Sequence, residues 1–158
     1  MSDYATTVVW GCHGADLPNV PNVPYNGGNP IGPGAEIGDG ITNTNNILLD
    51  CSTAPSALAA RSYGPDWFLP SINELKQMYN NKTTLEAVSG FTTFSDYYRS
   101  STELDLNFAY GQHFNDGKQY YGHKSTSQTM CVLFGLFSYL SINLHRVSGR
   151  FEKIDPQE

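Results

Sequence analysis

Charge is the scarcest commodity in this chain. Only 15% of its 158 residues are Asp, Glu, Lys or Arg, against about 25% in an ordinary soluble domain. Solubility then has to come from Asn, Ser, Thr, Gly and Tyr, a composition suited to loop-rich β structure and to extracellular or virion surfaces. There is no basic run, and the net charge is −6. Nucleic acid and anionic membranes are therefore poor partners, because both recruit clustered Lys and Arg. No apolar run approaches the roughly 20 residues that cross a bilayer, so membrane insertion is not expected. The opening MSDYATTVVW lacks a charged segment followed by an apolar core and does not read as a signal peptide. The compartment stays open, with a virion or cell surface as the expectation. The three cysteines are Cys12, Cys51 and Cys131. An odd number gives no complete disulfide framework. A Cys12–Cys51 bridge is one arrangement, and buried free thiols are the plainer one.

Apolar and aromatic residues are abundant, at 39% and 13%, which argues for a folded globule and against disorder. The length suits one domain with a real core, here taken as residues 1–158. Residues 4–10 (YATTVVW) are β-branched and aromatic and read as a strand. Residues 14–40 are dense in Gly, Pro and Asn, which excludes an ordinary helix or a central strand. This segment is either an ordered irregular loop packed on the domain or a flexible excursion. Asn43 or Thr44 can cap a helix carrying Ile47, Leu48 and Cys51 on one face. A short helical piece is expected from Pro55 to Ala60, since Pro suits a first turn. Residues 72–79 form the clearest helix. Ser71 and Glu74 make an S-x-x-E capping box, Ile72, Leu75, Met78 and Tyr79 follow at helical spacing, and the face is expected to pack beneath Trp67 and Leu69.

Beyond residue 90 the chain reads as β structure. FAYGQHF-NDGK-QYYGH is a hairpin in which Asp116-Gly117 suits a two-residue type I′ turn. That turn would set Phe114 opposite Gln119, His113 opposite Tyr120 and Tyr110 opposite His123. Phe108, Tyr110 and Phe114 would share the core face. Residues 132–141 and 143–151 read as two further strands, and 152–158 as a frayed tail.

Catalytic and metal signatures are missing. The four histidines, His13, His113, His123 and His145, show no H-x-x-x-H spacing, and no C-x-x-C is present. With a two-residue turn His113 and His123 fall on opposite faces, and a three-residue loop would change that parity. No G-x-S-x-G elbow exists, and Cys131 sits in TMCVLF, where a thiol reads as inert core. The Gly-rich stretches lack the strand–turn–helix setting of a phosphate loop. No enzyme activity and no cofactor are expected. What stands out instead is residues 97–127, where Tyr and Arg interleave with Ser, Gly and Asn as in a paratope. Tyr97, Arg99, Leu104, Leu106, Phe108, His113, Tyr120, Tyr121 and His123 are the candidate ligand-contacting residues. Phe108 is double-edged, since the same residue is also expected in the core. Leu104 and Leu106 are odd for structure in a polar loop and suit a contact surface.

The segments VWGCHG, GAEIGDGITNTNNILLDC, DWFLPSINEL, SSTE and AYGQHFNDG together resemble the Lcl C-terminal domain family of bacterial and phage proteins. The likeness runs from about Trp10 to Phe151, at the level of motifs. Arg99 and Tyr110 stand where that family usually has Trp, and the family's ending fits Leu144–Phe151 better than Gln128–Val132. The resemblance implies an α+β domain with a C-type lectin-like fold, close to formylglycine-generating-enzyme domains without their active site. It also implies a twisted antiparallel sheet with two flanking helices and long irregular loops. Domains of this kind serve as variable proteins of diversity-generating retroelements, which randomise adenines so that Asn codons become many residue types. Arg99, Leu104, Asp105, Leu106, Phe108, His113, Tyr120, Tyr121, Gly122 and His123 are permitted outcomes of an AAC codon. Glu103, Gln112, Lys118, Gln119 and Lys124 are not, and would be scaffold. The expected function is binding of a protein or glycan ligand on another cell or virus surface. The alternative is a constant carbohydrate- or cell-surface-binding domain, and an enzyme of the formylglycine-generating class is a distant third.

Overall fold

The computed structural model describes residues 4–87 and 93–132. The chain is α+β. Helices α1 (Asp39–Asp50), α2 (Pro55–Arg61), α3 (Ile72–Asn80) and α4 (Lys82–Glu86) fall between strand β1 (Tyr4–Val9) and strands β2 (Tyr97–Glu103), β3 (Phe108–His113), β4 (Gln119–His123) and β5 (Ser127–Val132). The five strands form one sheet in the order β1-β5-β2-β3-β4. β2, β3 and β4 pair antiparallel, β5 runs parallel to β2, and β1 closes antiparallel on β5. The N-terminal strand thus pairs with the last strand described, which brings the two ends of the described chain together. β5 begins at Ser127, earlier than the strand read at 132–141. The strands and tail expected beyond Val132 lie outside the described residues.

The helices follow the local chemistry. α3 has the full capping box: the Ser71 hydroxyl accepts from the Glu74 N–H at 3.2 Å, and Glu74 accepts from the Ser71 N–H at 2.7 Å. Glu74 also accepts from the Gly38 N–H at 2.8 Å, so one buried carboxylate serves the starts of two helices. α1 begins at Asp39, four residues before the expected Asn43. Gly38 takes a left-handed φ of 100° and supplies the N-cap. Asn43 and Thr44 are buried inside the helix instead. Asn43 Nδ2 donates to the Gly34 carbonyl at 2.7 Å, and Thr44 Oγ1 accepts from the Leu69 N–H at 3.0 Å. Their amide and hydroxyl tie neighbouring loops, a use that competes with capping.

Residues 14–38 are an ordered irregular loop. Leu17, Val20 and Val23 are buried, and Asp50 holds Asn19 through its backbone and side-chain nitrogens at 2.8 and 2.6 Å. Pairs of local hydrogen bonds replace the ladder that its prolines forbid. Cys12 and Cys51 are joined as a disulfide with Cα atoms 6.4 Å apart, within the usual span, so the free-thiol reading does not hold for them. The bridge ties the loop after β1 to the end of α1.

Three apolar clusters make the core. Trp10, Ile47, Ala57, Leu69 and Ala109 belong to the first, Leu75, Met78, Phe94, Tyr98 and Phe114 to the second, and Val23, Ala35, Ile72 and Tyr110 to the third. The fully buried tryptophan is Trp10, whose Nε1 donates to the Ser100 carbonyl at 2.9 Å. Trp67 was expected above α3, yet it is half-buried at the margin of the first cluster against Tyr63, with ring centroids 5.3 Å apart.

The β3–β4 hairpin is real, but its register is shifted by two residues. Tyr110 faces Tyr121, Gly111 faces Tyr120 and Phe108 faces His123. The His113 N–H donates to the Lys118 carbonyl and the Gly117 N–H to the His113 carbonyl, each at 2.9 Å. Four residues, 114–117, form the loop, and Gly117 provides its left-handed position at φ 77°. Phe114 explains the shift. It leaves the ladder to enter the second core cluster, which a two-residue turn would not allow. A shift of two preserves which face each side chain takes, so His113 and His123 do lie on opposite faces.

Candidate ligand surface

The scaffold beneath the hairpin is polar and closed. β2 is buried from Tyr98 to Glu103, and its pairing with β3 is interrupted between Arg99 and Glu103. In that interruption Ser100, Ser101 and Thr102 turn to the loops. The Thr102 hydroxyl donates to the Gly34 carbonyl at 2.8 Å and accepts from the Ile72 N–H at 3.0 Å. The Ser101 N–H donates to the Pro70 carbonyl at 2.8 Å, and the Ser100 hydroxyl donates to the Tyr110 carbonyl at 2.9 Å. The S-S-T-E motif is thus a knot joining four segments.

Arg99 belongs to this scaffold. It was expected on the ligand surface but is fully buried. Its guanidinium reaches from β2 across β3 to β4, donating to the carbonyls of Ala109 and Gly122, both at 2.9 Å, and of His123 at 2.7 Å. Two glycines make room for it and for Tyr120. A Cβ on Gly122 would sit 3.0 Å from Arg99 Nη2, and one on Gly111 would sit 2.6 Å from Tyr120 Cζ. Burial lowers the Arg99 pKa from its ordinary value; the three carbonyls serve its two terminal nitrogens, and Nε is buried without a hydrogen-bond partner. Below it lies a wholly buried ion pair, Glu103 with Lys124. The Lys124 ammonium also sits 4.8 Å from the centre of the Trp10 ring. Burial pushes the Glu103 carboxyl up to about 7, and the Lys124 hydrogen bond pulls in the opposite direction.

The exposed residues form two patches, one on each face of the hairpin. On the first, the rings of Tyr121 and Phe108 meet edge-on at 5.5 Å, and Phe108 lies 4.3 Å from His123. Tyr25 joins from the irregular loop, edge-on to Tyr121 at 5.2 Å, and His13 joins from the loop after β1, 5.6 Å from His123. Tyr110 lies beneath, its hydroxyl donating to the Val23 carbonyl at 3.0 Å. Burial first, with the nearby Tyr25 and Tyr121 phenols next, pushes its pKa up to about 12. Leu106 is exposed beside this patch, and its carbonyl accepts from the Gly14 N–H at 2.9 Å.

On the second face Tyr97 stacks on His113 at 4.2 Å and meets the edge of Tyr120 at 4.9 Å. His113 Nδ1 lies 2.6 Å from Asp116 Oδ1. The Asp116 carboxyl is held down to about 2, by the Lys118 N–H first and by His113 next.

The nine candidates therefore divide. Tyr97, Leu106, Tyr121 and His123 are exposed, Phe108 and His113 are half-buried at the two patches, and Tyr120 is half-buried across Gly111. Arg99 is scaffold. Leu104 is half-buried against the cluster of Val23, Ile72 and Tyr110, so it packs rather than displays. Sequence reasoning missed Tyr25 and His13. Their signal was faint: each sits among Gly, Pro or Cys neighbours, where loop order cannot be read from one chain. Among the described residues no group of three or more His, Cys, Asp and Glu converges in a way that could hold a metal, and no helix is long and apolar enough to cross a membrane. In comparisons with known proteins the chain matches no family model, no curated protein and no solved structure.

Proposed function

We propose that this chain is a ligand-display module of C-type lectin-like architecture whose hairpin surface varies among copies through a diversity-generating retroelement. One observation carries the reading: side chains on the two hairpin faces gather into aromatic patches while the backbone under them is fixed by buried groups. Tyr25, Phe108, Tyr121 and His123 supply large rings, those of Tyr25, Tyr121 and His123 with polar tips, the residue chemistry that paratopes favour. Of the five residues that an adenine-randomised Asn codon cannot produce, Glu103, Gln112 and Lys124 are buried, Gln119 is half-buried and Lys118 is exposed. The permitted outcomes Tyr97, Leu106, Tyr121 and His123 are exposed. Arg99, Leu104 and Gly122 are exceptions, permitted outcomes in scaffold positions, and in this reading they are constant.

The test has two arms. Sequencing the locus should reveal a near-repeat differing only at adenines, together with a reverse-transcriptase gene. A display library randomised at Tyr97, Leu106, Phe108, Tyr121 and His123 should retain folded members and yield binders to an unrelated protein such as hen lysozyme. A library of equal size at Arg99, Glu103 and Lys124 should lose folded members. A locus without the repeat, with a surface library that does not fold, would sink the proposal. A constant glycan-binding surface is the second reading, favoured by the exposed Tyr25 and Tyr121 rings. A glycan array probed with the unaltered protein addresses it.

A further inference from the structure

We propose that His13 and His123 form a two-imidazole chelate for a divalent transition-metal ion of the zinc type. The inference does not depend on the surface being diversified. His13 Nε2 and His123 Nδ1 lie 3.4 Å apart. Two nitrogens each about 2.0–2.1 Å from one zinc ion at the tetrahedral angle are separated by about 3.3–3.4 Å. The observed spacing is that bite. The same two nitrogens also meet the geometry of a long ring-to-ring hydrogen bond, which a bound zinc ion would replace.

The backbone supports this on both sides. His13 follows Cys12, which is bridged to Cys51, and precedes Gly14, whose N–H donates to the Leu106 carbonyl at 2.9 Å. Gly11 donates to the Lys124 carbonyl at 3.2 Å, and Lys124 donates to the Asn107 carbonyl at 2.9 Å, so the residues flanking both histidines are bound to each other's neighbourhood. The His123 ring is backed by Phe108 at 4.3 Å. The cation next in sequence, the Lys124 ammonium just after β4, is turned inward onto Glu103 and is wholly buried, so it does not face the pair. Both histidines are exposed, and the chain carries a net charge of −6, which favours an arriving cation.

Imidazole suits zinc, copper and nickel. Two protein nitrogens leave two tetrahedral positions, which water fills until a carboxylate or imidazole of a bound partner displaces it. Metal at this place would add a directional contact to a surface that otherwise offers rings and hydroxyls.

The experiment is isothermal titration of tag-free, chelator-stripped protein with zinc chloride near neutral pH. We expect one zinc per chain. His13→Ala and His123→Ala should each weaken binding at least tenfold, and His113→Ala, on the opposite face, should leave it unchanged. In a long-range ¹H–¹⁵N spectrum zinc should shift His13 Nε2 and His123 Nδ1 and spare the His113 ring. Absence of zinc uptake overturns the proposal, and so does wild-type affinity in either the His13→Ala or the His123→Ala protein. Circular dichroism of each variant should match the parent, since both side chains are solvent-exposed.

Discussion

β2 and β4 lie on either side of β3, yet they are built to opposite ends. β2 is buried along nearly its whole length, although each of its seven residues carries a hydroxyl or a charge. β4 ends the sheet, and its Tyr121 and His123 are exposed. Every polar group that β2 buries has to find a partner or pay for its desolvation. Ser100, Ser101, Thr102 and the terminal nitrogens of Arg99 meet that demand through contacts to other segments, while Arg99 Nε and Glu103 Oε2 find no hydrogen-bond partner. β4 contributes its backbone to Arg99 and to β3, its Gln119 side chain donates to the Ile72 carbonyl, and its Tyr121 and His123 side chains lie outside those contacts. A strand whose fixed interactions are backbone ones can change its side chains cheaply.

The largest blow to this arrangement should come from separating the buried pair. Lys124→Ala leaves the Glu103 carboxylate without its buried cation, and breaking a buried pair from one side costs about 3–5 kcal/mol. Phe114→Ala should cost a similar ~3–5 kcal/mol as a large truncation in the second core cluster. Chemical denaturation measures both. A loss below about 1 kcal/mol in Lys124→Ala would mean that the scaffold is not tied through this pair, and that β2 and β4 differ less than their burial indicates.

Part of this contrast could be read from the sequence, and part could not. The capped helix α3 was legible because Ser71 and Glu74 act within one turn, and β1 because all but Ala5 of its residues are β-branched or aromatic. The hairpin was legible through Gly117, but its register was not. Register depended on Phe114 leaving the strand for a cluster built by α3, α4 and Phe94, a tertiary preference that no turn rule contains. Arg99 failed for a related reason. Exposure is the usual fate of Arg, and the absence of a side chain at Gly122, two strands away, is what leaves room for its guanidinium. The α1 start was misread because Asn43 and Thr44 have the right chemistry for capping and are spent elsewhere. His13 and Tyr25 reach the surface through a disulfide and an irregular loop, where local sequence carries least information.

A pH series sharpens the same comparison with a smaller effect. Glu103 is raised from an ordinary 4.5 to about 7, chiefly by burial. The folded protein therefore holds this proton more tightly than the unfolded chain. The associated stability is fully present below about pH 4.5 and is lost as pH rises through about 7. Relative to Glu103→Gln, which cannot ionise, the wild type should lose denaturation midpoint steadily between these values and level off above them. Parallel curves for the two proteins would show that Glu103 titrates as an exposed carboxylate would. Exposed Asp116 moves the other way, since its carboxyl is held down to about 2. Its contribution is present above about pH 4 and fades only in stronger acid, outside the Glu103 window.

The smallest expected effect is the most telling for function. Tyr121 is 43% exposed, and its ring meets Tyr25, Phe108 and Tyr110 only edge-on. Surface substitutions away from caps, strain and buried polar groups usually stay within about ±0.5 kcal/mol, and Tyr121→Ala should fall in that range. Tyr120→Ala, one residue earlier, is the matched control. The Tyr120 ring covers Gly111, and its phenol is pushed well up by burial, so its loss should destabilise by more than Tyr121→Ala. If neighbouring tyrosines on one strand separate in this way, β4 carries display and support on alternate faces. Equal losses from the two substitutions would make Tyr121 part of the scaffold, and the first patch would no longer be a surface free to vary.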